Sequence, residues 1–385
     1  MKILIRYFFE FVTFVLILLL IPLLYLLSKF RNRVRSLWSG SPIINMTVNV
    51  KAERLLGVDA ITLVYDTYFI TEAFDYNLKK ICNMPVIRCF VPYFVFIWSC
   101  LFFDRFHFYF DRGLLPPRKS FEFNPFELSI YRFLNKQVFI WTYGADVRSK
   151  IVTEKLGEFN CCLECTDEGK ACICDDARRI KNIVRVTRRV SGTFAMGDMK
   201  EYTIKSINDT FFWPVELEKY EPYFPDFEPA KTLKVVHAPN HRQYKGTKYI
   251  IEAVNQLKSE GFDIELLLVE GVPHDKAVEI YRSADIIFDQ CIIGFHGYFA
   301  IEGMAMGKPV LCYIRKPDYL LYPEECPIIN VRADSIKEVL RNLLLNPEIL
   351  KLLGQKGRKY IEKYYTVSAF SERLKKSYLD GGFMK

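Results

Sequence analysis

The chain has 385 residues, of which 50% are hydrophobic and 25% charged, and a formal net charge of +8. This composition excludes a disordered chain, and the length favours two domains in addition to the N-terminal segment. The charge does not indicate a nucleic-acid partner, because six basic residues and one acidic residue fall within residues 1–40, which leaves only +3 for the rest. No motif that interleaves basic with aromatic side chains is present.

Residues 7–27 are apolar except for Glu10 and Thr13, and as a helix they would be about 30 Å long, enough to cross the hydrocarbon core. They predict a membrane anchor, with residues 1–40 as anchor and basic flank, because no small-residue cleavage site of a signal peptide follows. Two basic residues precede the segment and four follow it, so the positive-inside rule places the catalytic part of the chain in the cytoplasm. Pro22 also allows a kinked helix that enters one leaflet without crossing.

Residues 41–213 are predicted to form a first Rossmann-like α/β domain. The apolar run at residues 85–103 is predicted to be a core helix, with a membrane-dipping face as the alternative. A short helix is predicted at residues 49–56, ending before Gly57. The strands of this domain are predicted at residues 43–48, 61–65, 106–110 and 138–142.

A proline-rich passage at residues 214–232 predicts a linker between the two domains. Residues 233–365 then alternate between strands and helices, which predicts a second Rossmann-like domain with a parallel, doubly wound sheet, followed by a C-terminal helix and tail at residues 366–385. The strands are predicted at residues 233–237, 264–269, 286–289, 310–314 and 328–331, and the helices at residues 247–260, 273–283 and 297–306 and from about residues 335 and 347.

Five of the eleven cysteines fall within residues 161–174. In the reducing cytoplasm predicted above, such a cluster is interpreted as a metal site rather than as disulfides. C-x-x-C followed by C-x-C predicts a small structural zinc site, with redox-active or incidental thiols as the alternative. The predicted ligands are Cys162, Cys165, Cys172 and Cys174.

Four of the five histidines lie within residues 234–314, each after a strand-like run, where parallel sheets place their ligand-binding loops. The first of these loops carries Arg242, Lys245 and Gly246 directly before a predicted helix. A guanidinium, an ammonium and the bare N–H groups of a helix start suit a diphosphate. A solvated basic turn is the alternative.

Another loop leads into the helix predicted at residues 297–306. Gly297 lets a ligand approach the backbone at the helix N-terminus, and Glu302 is placed to accept hydrogen bonds from a ribose diol. Few polar residues surround Glu302, which favours a buried carboxylate with partners over an exposed helix residue. These features predict a nucleotide or sugar-nucleotide site.

The sequence HGYFAIEGMAMGKPV, with the preceding KG, VEG and SAD segments, resembles the donor half of GT-B glycosyltransferases that share a Glu, seven residues, Glu motif. The resemblance covers residues 233–314 and implies a fold of two Rossmann-like domains. The chain departs from the motif at Gly294, where the family has its first Glu, and His296 is the candidate to replace that residue in catalysis. The donor-binding residues that the resemblance implies are Arg242, Lys245, Gly246, Glu270, His296, Gly297, Tyr298 and Glu302.

In the first domain, Tyr143, Gly144, Asp146 and Arg148 form a segment similar to the strand-end His-Gly-x-Asp-x-Arg turn of many of these enzymes. The resemblance implies that the four residues lie on the acceptor side and makes Asp146 a catalytic candidate. A purely structural turn is the alternative, since Asp is common after Gly in turns.

Together with these features, the resemblance implies a glycosyltransferase that moves a sugar from a nucleotide-sugar donor to a glycan or lipid-linked acceptor, with membrane lipid as a further partner and nucleic acid excluded. No Asp-x-Asp occurs in the sequence, so we expect Arg242 and Lys245 rather than a metal ion to stabilise the leaving group, and no cofactor for catalysis. The resemblance implies retention of anomeric configuration. The alternatives are another GT-B enzyme, such as a sugar-nucleotide epimerase or a polyol-phosphate transferase, and a non-catalytic sugar-nucleotide-binding scaffold.

Overall fold

A computed structural model describes residues 2–29, 32–68, 71–163, 165–166, 174–224 and 231–384 of the chain. The chain divides into two compact units. Unit 1 comprises Met1–Arg148, Asp175–Thr210 and Ser371–Lys385, and unit 2 comprises Ser149–Cys174 and Phe211–Phe370. The segment that carries the cysteine cluster therefore belongs to unit 2, whereas the predicted boundaries placed it in the first domain. The periodicity of apolar residues does not reveal which unit a segment packs in, because it reports on local structure only.

Fourteen α-helices occur in the described residues. In chain order they are α1 (Lys2–Lys29), α2 (Met46–Leu55), α3 (Lys79–Cys82), α4 (Val91–Phe102), α5 (Pro125–Phe133), α6 (Lys150–Lys155), α7 (Asp176–Thr187), α8 (Arg242–Lys245), α9 (Thr247–Ser259), α10 (His274–Arg282), α11 (Tyr298–Ala305), α12 (Ile336–Leu345), α13 (Glu348–Tyr364) and α14 (Val367–Asp380). By length and composition alone, α1 is the one described helix that could cross a membrane. It falls where the sequence predicts an anchor.

Unit 1 is built on a sheet of parallel strands. The described strands are β1 (Arg35–Trp38), β2 (Asp59–Val64), β3 (Tyr76–Asn77), β4 (Arg105–Tyr109), β5 (Gln137–Trp141) and β6 (Gly192–Thr193). Their order in the sheet is β3-β2-β1-β4-β5-β6, so the order reverses between β1 and β4. Every residue of β4 is buried, as expected of a central parallel strand covered on both faces. The sheet is therefore doubly wound.

The first strand among the described residues is β1, and the prediction of a strand at residues 43–48 is wrong. Those residues form a turn and the beginning of α2. The buried positions Met46, Asn49, Val50 and Glu53 are three and four residues apart, which is the period of a helix face. The strand β1 has only four residues and begins with Arg35, within the predicted basic flank of the anchor, so no apolar run marked it.

A buried ion pair connects α2, the sheet and α14 within unit 1. Glu53 accepts hydrogen bonds from Arg105 Nη1 at 3.0 Å, Trp38 Nε1 at 2.7 Å and Tyr378 OH at 3.1 Å. Burial raises the pKa of Glu53, but His107 and Arg105 outweigh it and hold the pKa well below its ordinary value. Because Tyr378 lies on α14, this contact fixes the C-terminal helix in a core formed by residues more than 270 positions earlier.

Unit 2 contains a second parallel sheet. Its described strands are β7 (Leu233–His237), β8 (Ile264–Leu268), β9 (Ile286–Gln290), β10 (Val310–Cys312) and β11 (Ile329–Asn330). Their order is β11-β10-β9-β7-β8, so the order reverses between β7 and β9. Amphipathic helices cover the sheet, since Ile250, Val254 and Leu257 of α9 are buried at helical spacing in its core. The predicted strands and helices of residues 233–365 agree with these bounds to within a few residues.

Candidate functional site

The loops after β7 and β9 meet at the carboxyl-terminal edge of the unit 2 sheet. These strands are neighbours although β8 lies between them in sequence, so they flank the point where the strand order reverses. Doubly wound sheets bind their ligands at this place. Lys245 reaches it at the end of α8, and Gly297 reaches it as the residue before α11.

Gly246 allows the two loops to pack together. It adopts a left-handed conformation, with φ of +72°, between α8 and α9. A Cβ atom at this position would lie 2.3 Å from the Sγ atom of Cys291, in the loop after β9. Only glycine satisfies both the backbone angle and the close approach, and Lys245 is thereby held beside the second loop.

A buried carboxylate, Asp289, joins the two groups that the sequence predicts for the diphosphate. Its Oδ1 atom accepts a hydrogen bond from Lys245 Nζ at 2.7 Å, and Oδ2 accepts one from the Gly297 N–H at 2.5 Å. Burial raises the pKa of Asp289, but the charge of Lys245 outweighs it and lowers the pKa, so Asp289 is ionised. The ammonium and the helix start therefore converge on one anion, as a phosphate requires. An ammonium has three N–H donors, so Asp289 alone does not exhaust Lys245.

Arg242 and Glu270, both predicted to bind the donor, pair with each other. Arg242 Nε donates to Glu270 Oε1 at 2.8 Å, and Nη2 donates to Oε2 at 2.5 Å. The Arg242 side chain is 54% exposed, so the pair contributes little to stability. A diphosphate that binds Arg242 would have to replace Glu270.

Glu302 is buried and held by two donors that the sequence did not assign to it. Its Oε1 atom accepts hydrogen bonds from Tyr220 OH at 2.7 Å and from His274 Nε2 at 2.5 Å. Burial lowers the pKa of His274, but the bond to Glu302 outweighs it and the pKa is raised. Both donors use Oε1, which leaves Oε2, among the described residues, for a ribose hydroxyl. Tyr220 lies in the predicted linker, where no pattern marked it.

We expect Tyr220→Phe to raise the KM for the donor about fivefold with a smaller change in kcat. The substitution removes one hydrogen bond that orients Glu302, and such a bond is worth about 1 kcal/mol. Steady-state kinetics on the full chain measure the effect, and Tyr223→Phe, an exposed tyrosine of the same segment, is the matched control. Equal KM values for the two variants would show that Tyr220 does not orient Glu302.

His296, the predicted catalytic histidine, is only 3% exposed. Its ring lies 4.2 Å from the ring of Phe295, and its Nε2 atom lies 3.5 Å from Tyr365 OH. The hydroxyl of Tyr298 donates to the carbonyl of Pro214 at 2.9 Å, so its side chain contacts the predicted linker. Only its backbone contributes to the N-terminus of α11. Both side chains hold the segments around α11 together, and the catalytic role of His296 stays a prediction.

Gly294, where the family motif has a Glu, is covered by a guanidinium. Its φ is +101°, and a Cβ atom there would lie 2.5 Å from Cζ of Arg315. Arg315 Nη2 donates to the carbonyls of Ile293 at 2.9 Å and Phe159 at 3.3 Å. A glutamate at residue 294 would therefore require Arg315 to move. In this chain the guanidinium of Arg315 lies beside the position at which the family motif has its first Glu. The preceding Gln290 holds the loop through its side-chain bonds to backbone groups of Phe295 and residue 293, among others.

In unit 1, Asp146 closes the turn after β5. Its Oδ1 atom accepts hydrogen bonds from the N–H groups of Tyr143 and Gly144, each at 2.9 Å. Burial, and then the nearby Asp111 carboxylate, raise the pKa of Asp146 to about 7. Gly144 has φ of +110°, and a Cβ atom there would lie 2.4 Å from Nη1 of Arg148. In this geometry Asp146 holds the turn, as the structural alternative predicts, and its catalytic role stays a prediction.

Asp111 is a further candidate that sequence reasoning missed. Its Oδ2 atom accepts hydrogen bonds from Tyr143 OH at 3.1 Å and from Ser41 Oγ, and its buried Oδ1 has no hydrogen-bond partner among the described residues. Asp111 follows β4 and Ser41 follows β1, the strands that flank the reversal of order in unit 1. Arg148 pairs instead with Asp198, at 3.2 Å. The sequence signal that could have identified Asp111 is an acidic residue directly after a strand-like apolar run.

We expect Asp146→Asn to change the pH dependence of the stability of unit 1. The folded pKa of about 7 lies above the ordinary value near 4, so the contribution of the wild-type carboxyl is present at low pH and lost as the pH rises toward 7. The free energy of unfolding of the wild type, relative to the variant, should fall by about 2–3 kcal/mol between pH 5 and pH 8. Urea unfolding at both pH values measures this. A constant difference would contradict the buried carboxyl, and exposed Asp59→Asn is the control.

The chain is similar to solved structures of nucleotide-sugar enzymes. It matches HepE of Anabaena, solved in complex with UDP-glucose, with a TM-score of 0.56 and 8% identity over 90% of this chain and 100% of that chain. It matches sucrose-phosphate synthase of Thermosynechococcus elongatus with a TM-score of 0.55 and 12% identity over 90% and 99% of the two chains. Both proteins are GT-B glycosyltransferases. The chain has the GT-B fold.

A third GT-B-like match is an alpha-glucosyltransferase solved with UDP and a 13-mer DNA, with a TM-score of 0.53 and 9% identity over 90% and 99% of the chains. No protein-family model matches the chain, and no curated protein matches its sequence. The predicted fold class, two Rossmann-like α/β domains preceded by an apolar N-terminal helix, is confirmed. At such identities the similarity establishes the GT-B fold alone.

The cysteine cluster of this GT-B chain lies partly outside the described residues, since Cys172 is not among them. Among those that are described, no group of three or more His, Cys, Asp or Glu side chains could hold a metal ion. Cys165 Sγ lies 3.4 Å from Tyr244 OH, and Gln243 donates to Thr166 Oγ1 at 3.2 Å. The segment thus lies against α8, next to Lys245, and the zinc site stays a prediction.

Proposed function

We propose that this protein is a glycosyltransferase that binds a nucleotide-sugar donor at the carboxyl-terminal edge of unit 2 and transfers its sugar to a glycan or lipid-linked acceptor. The observation that carries the proposal is the convergence of Lys245 Nζ and the Gly297 N–H on one anion, Asp289. A phosphate needs the same two kinds of donor. Glu302, oriented by its two partners, supplies the acceptor that a ribose diol needs.

The chemistry follows from where charge develops. An acceptor hydroxyl oxygen bonds to the anomeric carbon and releases its proton to the departing diphosphate, while the bond between the anomeric carbon and the diphosphate breaks and negative charge collects on the diphosphate. Lys245 and the N-terminus of α11 would stabilise that charge, with Arg242 as a second cation once Glu270 is replaced. Metal-independent transfer with retention of configuration is the form of the reaction that we propose, on the strength of the motif resemblance.

A donor panel tests the proposal. UDP, GDP, ADP and CMP, each free and as sugar nucleotides, are titrated into the full chain by calorimetry, and hydrogen exchange then locates the site. We expect one base to bind and to protect residues 242–246 and 297–302. Incubation of the bound donor with a membrane lipid extract should yield a glycosylated product. Failure of every nucleotide to protect unit 2 would reject the proposal.

One observation favours a second candidate, a non-catalytic sugar-nucleotide-binding scaffold. Both predicted phosphate cations are paired with carboxylates, Lys245 with Asp289 and Arg242 with Glu270, which lowers the net charge available to a leaving group. Glu302→Ala separates the candidates, since it should abolish turnover in an enzyme and leave the binding of partner proteins intact in a scaffold. An isomerised donor formed without acceptor would instead indicate an epimerase.

Attachment to the cytoplasmic face of a membrane through α1 is part of the proposal, and the length and composition of α1 support it. A structural zinc bound by Cys162, Cys165, Cys172 and Cys174 is a separate proposal. We expect metal analysis of the purified, thiol-reduced chain to give one zinc per chain, and Cys162→Ser to lower that content. Protein free of zinc, with its fold intact by circular dichroism, would reject the zinc site.

A further inference from the structure

Helix α1 lies along unit 1 with one side buried. Glu10, Thr13 and Ile17 are three and four residues apart, so they share one face of the helix, and they are only 4%, 2% and 3% exposed. Two of the three are polar. A buried polar stripe along an otherwise apolar helix indicates a helix that is packed on protein, not one surrounded by hydrocarbon.

The contacts of this stripe are specific. Glu10 accepts hydrogen bonds from Arg118 Nη2 at 3.2 Å and from Asn124 Nδ2 at 3.0 Å. The ring of Phe9 lies 5.2 Å from that of Phe90 and 5.3 Å from that of Tyr93, beside α4. A carboxylate with a guanidinium and an amide as partners is stable at a protein surface, and its removal into lipid would cost these bonds and several kcal/mol of desolvation.

The length of helix that remains is too short to cross a bilayer. Twelve residues of α1 follow Ile17, which span about 18 Å, and eight precede Glu10, which span about 12 Å. The hydrocarbon core is about 30 Å thick. With the stretch from Glu10 to Ile17 packed on unit 1, neither flank spans that distance.

The side of α1 that carries Phe9 lies next to a second exposed apolar surface. Val86 and Phe94, before and within α4, are 71% and 73% exposed, and Phe90 between them touches Phe9 of α1. Arg88, in the middle of this patch, is exposed. Apolar side chains beside an exposed cation suit the boundary between acyl chains and anionic headgroups.

We propose that the outer face of α1 and residues 84–94 form one surface that enters a single leaflet of a lipid bilayer, so that the chain attaches to the membrane without crossing it. The occupant is the bilayer leaflet, because the patch is continuous with the apolar helix and carries a headgroup-level cation. This inference rests on the membrane attachment in the proposed function and is independent of the transfer reaction.

The first test is topological. The full chain carries a reporter at its N-terminus or at its C-terminus in bacterial cells, with reporters that are active only in the cytoplasm or only outside it. We expect both ends on the same side of the membrane. Ends on opposite sides would mean that α1 crosses the bilayer and would overturn the inference.

The second test concerns the patch. Val86→Glu with Phe94→Glu is compared with Ile349→Glu with Leu352→Glu, an apolar pair in unit 2 that is 40% and 50% exposed. Flotation of the full chain with phosphatidylglycerol–phosphatidylcholine vesicles should fall at least fivefold for the first variant only. Two outcomes would overturn the inference. Unchanged flotation would mean that α1 alone anchors the chain. A change in oligomeric mass without lost flotation would mean that a second copy of the chain, not lipid, covers the patch. Nucleoside-diphosphate binding, which tests the proposed function, should be equal in all variants.

Discussion

Replacing Lys245 by alanine is expected to lower kcat/KM for the donor about 100- to 1000-fold. Lys245 is the cation of the anion site at the reversal of strand order, and its ammonium bonds to Asp289, the carboxylate that also accepts the Gly297 N–H before α11. Removal of one pre-organised donor to a developing oxyanion typically costs this factor. Steady-state kinetics with the donor identified by the panel measure it, and exposed Lys248→Ala on α9 is the matched control.

The loss of the ammonium must be distinguished from the effect of leaving Asp289 unpaired. Lys245→Ala leaves Asp289 buried and without its counter-charge, which also destabilises the loop. The double variant Lys245→Ala with Asp289→Asn removes that charge, so a loss of activity that persists in it reports on the missing ammonium. Recovery to wild-type activity in the double variant would show that Lys245 only neutralises Asp289 and does not bind the donor.

Glu53→Ala is expected to destabilise unit 1 by about 3–5 kcal/mol, because it leaves the guanidinium of Arg105 buried and unpaired. The same change removes the bonds to Trp38 and Tyr378, so α14 should loosen from unit 1 first. Because the folded pKa of Glu53 lies below its unfolded value, its contribution is present above about pH 4 and lost only in stronger acid. The effect should therefore be the same at pH 6 and pH 8. Urea unfolding followed by tryptophan fluorescence measures it.

Two controls accompany this measurement. Glu53→Leu with Arg105→Met replaces the buried pair by apolar side chains of similar size and should recover most of the lost stability. Asp59→Ala breaks the exposed pair with Arg35 and should cost less than about 1 kcal/mol. Equal losses for Glu53→Ala and Asp59→Ala would show that burial does not strengthen the pair.

The secondary structure of unit 2 could be predicted from the sequence because its elements are regular. Apolar runs of strand length alternate with helices that end at glycine, as at Gly261 and Gly307, and each pattern is local. The placement of Lys245, Gly297 and Glu302 on one edge followed from the same regularity, since parallel strands end on one side of a sheet. The first half was harder to predict because its first two elements lack the usual patterns. The strand β1 has only four residues and begins with an arginine, and the buried face of α2 includes the polar residues Asn49 and Glu53.

The hydrogen-bond partners of the site residues could not be predicted from local sequence patterns. Asp289 was predicted as the end of a strand, but its contact with Lys245 joins residues 44 positions apart. Tyr220 and His274 reach Glu302 from 82 and 28 positions away. Hydrogen bonds over such separations depend on how the loops pack, and a single sequence does not contain that information.

The sequence by itself determined the fold class, the apolar character of α1 and the grouping of the proposed donor-site residues at one edge of unit 2, because periodicity and strand ends are properties of neighbouring residues. Only the tertiary structure decided which charges are already paired: Lys245 with Asp289, Arg242 with Glu270, and Glu10 with Arg118. The physical reason is that electrostatic energy depends on distance and burial, which arise when distant segments pack. The same packing buries Glu10, Thr13 and Ile17 of the predicted anchor helix α1 in unit 1.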